Sequence, residues 1–276
     1  MTKPDRPLDD VERAHLVDPT DTTYAIDRFA PSPDVADLVR RHWVPVWHLP
    51  EGRSSEQSVL QYPVCLIVVA HDYARFYGVQ SGLSRTTLAG RGWAAGVMLQ
   101  PGAGRLILRQ DVSTVTDRHL ELSDVIGSEV VHDVRAAMTD PHDPGCRRAA
   151  AGTLEDAVRT FLPVDDEGLL VNAIVDHVEH DPSVRQVAQV CDAFGLGERA
   201  LQRLTRRRLG LTPKWLIQRR RLHEASERLR EGPGDLAAIA HDLGYADQAH
   251  FTRDFRRVTG MTPGGFARRF TGGADR

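Results

Sequence analysis

Hydrophobic positions along this 276-residue chain change their period part-way. Short apolar, β-branched runs occupy 43–49, 64–70, 73–79, 93–99 and 106–108, broken by Pro, Gly and Ser clusters. Such spacing predicts the strands of a small antiparallel sheet or barrel. Ahead of them Val35, Leu38, Val39 and Trp43 fall on one helical stripe, which predicts a helix over 33–43. Segments 117–126 and 140–145 read as loops, the first with a short helical turn. Beyond them the helical period takes over. Thr153 is placed to cap a helix to residue 161, with Glu155 and Asp156 in its first turn. Leu170, Ile174 and Val178 align a second helix over 166–179. Residues 1–22 are polar, rich in Asp and Pro, and read as a disordered tail.

The last hundred residues carry one pattern twice, over 184–213 and 236–263. Each copy has a short helix with a small alanine, a glycine-containing turn, and a second helix closed by Gly-x-Thr-Pro. Counted back from the prolines, Leu201 matches Phe251, Arg203 matches Arg253, Arg206 and Arg207 match Arg256 and Arg257, and Gly210 matches Gly260. Val184, Val187, Ala188 and Cys191 form the expected core stripe of the first copy. Leu236, Ile239, Ala240 and Leu243 form that of the second. Asp235 and Asp247 are the expected N-caps. Between the copies, Pro213 opens a long helix that carries Arg219, Arg220 and Arg221. This predicts two helix-turn-helix units in tandem, a shape that fits the DNA major groove.

Charge sharpens the picture. The net charge of −3 hides a split. Residues 184–276 hold 18 Lys+Arg against 10 Asp+Glu, or +8, and the remainder is −11. A basic block on an acidic remainder fits a polyanion-binding module joined to a part that must not bind polyanion. Cys65, Cys146 and Cys191 stand far apart and form no C-x-x-C, which argues against a disulfide framework or a cysteine-rich zinc site. A reducing cytoplasm fits. Neither an apolar leader nor a run of eighteen apolar residues is present, so neither secretion nor a membrane span is expected.

Five motifs then narrow the class: Gly-Leu-Gly-Glu-Arg-Ala-Leu-Gln-Arg-Leu at 195–204, Leu-Gly-Leu-Thr-Pro at 209–213, Ile-Ala-His-Asp-Leu-Gly-Tyr at 239–245, His-Phe-Thr-Arg-Asp-Phe-Arg-Arg at 250–257 and Gly-Met-Thr-Pro-Gly-Gly-Phe at 260–266. Over about 168–270 the chain resembles the AraC/XylS family of bacterial transcription regulators. The resemblance implies that the second helix of each unit enters the major groove and that the long middle helix sets their separation. It places Arg199, Gln202 and Arg203 in the first reading helix, with Arg206 beside them. It places Gln248, Ala249, Thr252 and Arg253 in the second. The chemistry suits: Arg bonds guanine O6 and N7 together, Gln pairs with adenine, and a Thr methyl meets a thymine methyl. Two departures stand out. Gly197 replaces the usual Ser or Thr cap, and Thr205 stands where Phe is usual, so the first reading helix is expected to pack less rigidly.

Residues 28–35 (Arg-Phe-Ala-Pro-Ser-Pro-Asp-Val), with Leu38, Val39 and Trp43 behind them, are similar to the start of sensor domains on some AraC-like regulators. That resemblance covers about 24–135 and implies a cupin-type barrel that senses a small molecule or mediates pairing. Trp43, Trp47, Tyr62, Phe76, Tyr77 and Trp93 are candidates for its core or for an apolar pocket. His42, His48, His71, His119 and His132 lie in or near this region without metal-ligand spacing. Neither a nucleotide fingerprint nor Gly-x-Ser-x-Gly occurs. No metal, cofactor or catalytic residue is therefore expected.

The expected fold is two domains: an N-terminal mixed α/β domain with a small antiparallel, cupin-like β-barrel, and a C-terminal all-α tandem helix-turn-helix. The expected ranges are a tail at 1–22, a sensor or dimerisation domain at 23–162, a DNA-binding domain at 166–270 and a tail at 271–276. The expected function is that of a cytoplasmic, non-enzymatic, sequence-specific transcription regulator, an activator or a repressor. Double-stranded promoter DNA is its first partner, with a small-molecule effector, RNA polymerase and a second copy of the chain as further candidates. Two alternatives stay open: a cupin-like metal-dependent enzyme with a DNA-binding tail, and a ligand-free regulator controlled by protein–protein contact.

Overall fold

The computed structural model describes residues 14–16, 21–232 and 234–271. Its first half holds strands β1 (Tyr24–Phe29), β2 (Val39–His48), β3 (Ser54–Val59), β4 (Leu66–Ala70), β5 (Ala74–Tyr77), β6 (Ser84–Ala89), β7 (Arg91–Leu99) and β8 (His119–Glu121). They form a six-stranded sheet in the order β1-β2-β7-β4-β5-β8 and a two-stranded sheet of β3 and β6. Every pairing is antiparallel. Helices α1 (Gly104–Leu108), α2 (Ser123–Ile126), α3 (Ser128–Ala137) and α4 (Pro144–Arg159) follow or interrupt the strands.

Alternation along each strand decides what each face of the large sheet meets. Val44, Ile67, Val69, Phe76, Val97 and Leu99 share one core with Val134 of α3 and Ala150, Leu154 and Val158 of α4. His42 is buried and its Nε2 lies 2.9 Å from Glu155 Oε2, which ties β2 to α4. On the opposite face Trp43, Trp47, Val68 and Met98 meet residues of β3 and β6 around an open cavity of about 620 Å³. Leu88 of β6 packs with Trp47 and Val68, and Trp47 Nε1 donates to the Ala89 carbonyl at 3.2 Å.

Several local expectations fail for identifiable reasons. The stripe at 33–43 is not a helix: Pro33–Val35 makes one 3-10 turn and β2 begins at Val39. Val35 and Leu38 are buried by the turn, and strand pairing with β1 and β7 claims the rest. The run at 106–108 belongs to α1, not to a strand. The helix expected from Thr153 starts nine residues earlier at Pro144, where the Asp143 side chain accepts from Cys146 N at 3.0 Å. Glu155 therefore sits mid-helix and faces inward. Strands β3 and β6 escape a hydrophobic reading because polar residues fill them, as in Ser-Ser-Glu-Gln-Ser-Val of β3, and β1 (Tyr-Ala-Ile-Asp-Arg-Phe) adds a short strand outside the apolar runs. Within the expected N-terminal tail, Ala14–Leu16 are described and pair with β3 through His15 and Val59. Residues 1–13, 17–20 and 272–276 of the expected tails lie outside the described residues.

The second half is helical: α5 (Asp166–His180), α6 (Val187–Phe194), α7 (Glu198–Leu209), α8 (Pro213–Glu231), α9 (Leu236–Asp242), α10 (Gln248–Thr259) and α11 (Pro263–Thr271). Each Gly-x-Thr-Pro does the same work. Gly210 (φ 72°) and Gly260 (φ 76°) close α7 and α10 in the left-handed region. Thr212 Oγ1 then accepts from Trp215 N, and Thr262 Oγ1 from Gly265 N, each at 3.2 Å. The following prolines take a first turn where a missing N–H costs nothing. Helix α6 starts later than expected, capped by Gln186, so it buries Val190 and leaves Ala188 exposed.

Candidate nucleic-acid interface

The two second helices, α7 and α10, present matching polar faces. Arg199, Gln202, Arg203 and Arg206 recur at i, i+3, i+4 and i+7, a spacing that puts them on one side of α7. All four are exposed. Among the described residues the three arginines have no side-chain partner, and Gln202 Nε2 donates only to Glu198 Oε1 at 2.9 Å. On α10 the same spacing links Ala249, Thr252, Arg253 and Arg256, with Gln248 at the helix start. Gln248, Ala249, Arg253 and Arg256 are exposed and Thr252 is half-buried.

The inward faces hold these stripes in place by different means. In the second unit Asp247 caps α10 by accepting from His250 N at 2.6 Å. Phe251 and Phe255 pack in a cluster with Tyr245 and Phe266. The Tyr245 hydroxyl donates to the buried Asp254 carboxylate at 3.1 Å. In the first unit Gly197 caps α7 with no side-chain bond, as its lack of a hydroxyl dictates. Thr205 stands where weaker packing was expected. It is fully buried, and α7 packs against α1 and the 3-10 turn Val112–Thr114 of the N-terminal half. Gly210 is pressed so close that a Cβ there would lie 2.0 Å from Thr116 Oγ1.

Many of the arginines behind the +8 charge are committed elsewhere. Arg208, 2% exposed, pairs with Asp165 at 2.5 Å and Glu167 at 3.0 Å, and Arg207 pairs with Glu167 at 2.6 Å. Hydrogen bonds from Arg208 hold both carboxyls below the usual range. The triplet on α8 is structural. Arg219 lies over the Trp215 ring and donates to the carbonyls of Ser81 (2.6 Å) and Gly82 (3.2 Å). Burial lowers its pKa to about 10. Trp215 Nε1 donates to the same Ser81 carbonyl at 3.1 Å. Arg220 reaches the Val184 carbonyl, and Arg221 that of Arg185, each at 3.0 Å. Further exposed basic residues of the helical half include Lys214, Arg256, Arg268 and Arg269. The match of Arg206 to Arg256 between the two copies carried a signal for one of them.

A helix-turn-helix domain model matches residues 190–269, from α6 through α11, and so takes in both stripes. Residues 190–269 are a helix-turn-helix domain. The transcriptional activator RhaS of Pectobacterium carotovorum subsp. carotovorum (strain PC1) is 35% identical over 74 residues, 27% of this chain and 26% of that protein. An AraC-like transcription regulator of Streptomyces antibioticus is 33% identical over 112 residues, 40% of this chain and 37% of its own length. The chain thus spans between a quarter and two-fifths of the curated relatives it matches. Ahead of that domain, a model described as a domain of unknown function (DUF6597) matches residues 27–121, most of the eight strands. Among solved structures, ToxT from Vibrio cholerae O395 is similar at a TM-score of 0.40 and 13% identity, covering 91% of this chain and 100% of that one. Among the described residues, no group of three or more His, Cys, Asp or Glu could hold a metal ion, and no helix is long and apolar enough to cross a membrane.

Proposed function

We propose that this chain is a cytoplasmic, sequence-specific DNA-binding regulator of transcription. Its AraC-type domain reads promoter DNA, and its N-terminal half gates that domain through a small-molecule effector or through pairing of two chains. The observation that carries the reading is the pair of matched, exposed stripes on α7 and α10. Arg199, Gln202, Arg203 and Arg206 read one major-groove segment, and Gln248, Ala249, Thr252 and Arg253 the next. Lys214, Arg256, Arg268 and Arg269 anchor phosphates. The naming of the RhaS relative as an activator favours activation, with RNA polymerase as the second partner.

Gating has a physical route. Gln80 and Leu83 line the cavity between the sheets, and the carbonyls of Ser81 and Gly82 between them hold Arg219 and Trp215 of α8. A ligand shifts activity only by its difference in affinity between the two arrangements of this contact. The test is a selection of bound duplexes from random DNA by the full chain, followed by salt titration. Specific duplexes should bind about a thousandfold tighter than scrambled ones. Both affinities should fall steeply as salt rises, because phosphate neutralisation releases counterions. Binding with no salt dependence and no preferred duplex sinks the proposal.

A further inference from the structure

The cavity between the sheets combines flat apolar surface with concentrated positive charge. Trp43 and Trp47 on β2 form its floor. Their indoles lie against β7 only because Gly96 and Gly92 stand beneath them. A Cβ at Gly96 would come 2.3 Å from Trp43, and one at Gly92 2.4 Å from Trp47. The cradle is therefore built for rings, and tyrosines 24, 73 and 77 continue it.

Arginines sit among these rings. Arg28 faces Trp43 across the β1–β2 ladder, and Arg41 lies two residues before Trp43 on the same side of β2. The Arg75 guanidinium lies 4.7 Å from the Tyr73 ring centre. Arg85 and Arg118 line the same space. Among the described residues Asp117 is the one carboxylate in the lining, and it is already engaged with Ser81 N (2.7 Å) and Ser81 Oγ (2.6 Å). Glu121 and Glu56 stand 4.0 Å and 3.9 Å from Arg75 and Arg85 but are not part of the lining. A volume of about 620 Å³ is that of a drug-sized ligand site. Guanidinium forks match carboxylate and similar anions in shape as well as charge.

We propose that this cavity binds a small organic anion with a flat apolar body. The rings of the ligand stack on Trp43 and Trp47, and its carboxylate or comparable anionic group lies among Arg28, Arg41 and Arg75. The proposal rests on the reading of the N-terminal half as the sensing half and names the ligand class.

The probes are 8-anilinonaphthalene-1-sulfonate and its neutral counterpart of similar shape, N-phenyl-1-naphthylamine, titrated into the full chain by tryptophan quenching and calorimetry. One sulfonate should bind per chain, at least about tenfold tighter than the neutral amine, because charge-assisted bonds contribute only to the anion. Arg41→Met and Arg75→Met should each weaken the sulfonate by about fivefold or more and leave the amine nearly unchanged. Arg75 is partly exposed, so Arg75→Met keeps the test intact if Arg41→Met fails to fold. Equal affinity for the two probes, or sulfonate binding unchanged in Arg75→Met, overturns the proposal. DNA affinity measured on the same samples without probe separates the two claims. Intact DNA binding with no discrimination between probes removes the ligand class alone. Lost DNA binding with anion-selective probe uptake removes the regulator reading alone.

Discussion

At matching positions in the two repeats, α7 buries Thr205 and α10 buries Phe255. The second unit supplies its own wedge. Phe251, Phe255, Phe266 and Tyr245 interlock, with edge-to-face contacts between Phe251 and Phe255 and between Phe255 and Phe266. The first unit borrows. Val190, Leu201, Leu204 and Leu209 share one core with Ile107, Val112, Val115 and the large sheet. Arg208 adds a buried guanidinium between Asp165 and Glu167. Two copies of one sequence pattern thus fold alike and are stabilised by different parts of the molecule. The first unit is positioned to feel events in the N-terminal half, and the second leans on α8 and α11.

The largest expected effect tests the aromatic wedge of the second unit. Phe255→Ala should cost about 3–5 kcal/mol, the range for removing a fully buried ring. Thr205→Ala, at the matching site, should cost far less, since a small side chain leaves a small hole. Chemical denaturation of the two variants measures the contrast, and equal costs would break it.

The next effect compares the matched glycines. Alanine at Gly260 (φ 76°) should cost about 1–2 kcal/mol for the left-handed backbone. Its Cβ would meet only the flexible end of Arg85, at 3.3 Å. Alanine at Gly210 has the same backbone cost and also runs into Thr116 and the Ser113 backbone. That overpacking should add about 1–3 kcal/mol and loosen α7 from the N-terminal half. Thermal unfolding, with limited proteolysis near residue 113, reads both.

A smaller effect depends on pH. His223 of α8 stacks on Tyr62 with ring centres 4.5 Å apart. Burial pushes its pKa down to about 3, and the charges of Arg219, Arg40 and Arg230 act in the same direction. The unfolded chain, with a pKa of 6.5, takes up the proton first, so stability is full above that value and falls as pH drops toward 3. Between pH 7 and pH 5 the loss from this group should be at most about 2 kcal/mol. Half-buried His15, whose pKa desolvation lowers to about 4, adds a loss of the same sign. His223→Phe should flatten the slope of stability against pH. An unchanged slope contradicts the assignment.

The repeat was legible because its signals are local. Thr-Pro starts, Gly stops, Asp caps and the 3.6 period all act within one helix, and Gly210 and Pro213 stand where α7 ends and α8 begins. What escaped was decided between distant segments. The arginine triplet on α8 reads as a positive surface, yet Ser81, Gly82, Val184 and Arg185 carbonyls absorb it. Thr205 reads as a weakness, yet it is fully buried on a helix packed against a turn ninety residues away. Polar β3 and β6 carry no hydrophobic signal because one of their faces looks into the cavity. The arginines of that cavity lie on separate strands, so no spacing in the sequence brings them together.

The central claim is that α7 and α10 each read a stretch of bases. DNA selection with the unaltered chain, Arg203→Ala and Arg253→Ala tests it most directly. Each variant should lose preference at one or two base pairs, at a cost of about 1–3 kcal/mol there. The two affected positions should lie about 10 base pairs apart, because linked units on one face of the duplex meet successive major grooves. Equal weakening on every sequence, or the same base pairs affected by both variants, would contradict the account.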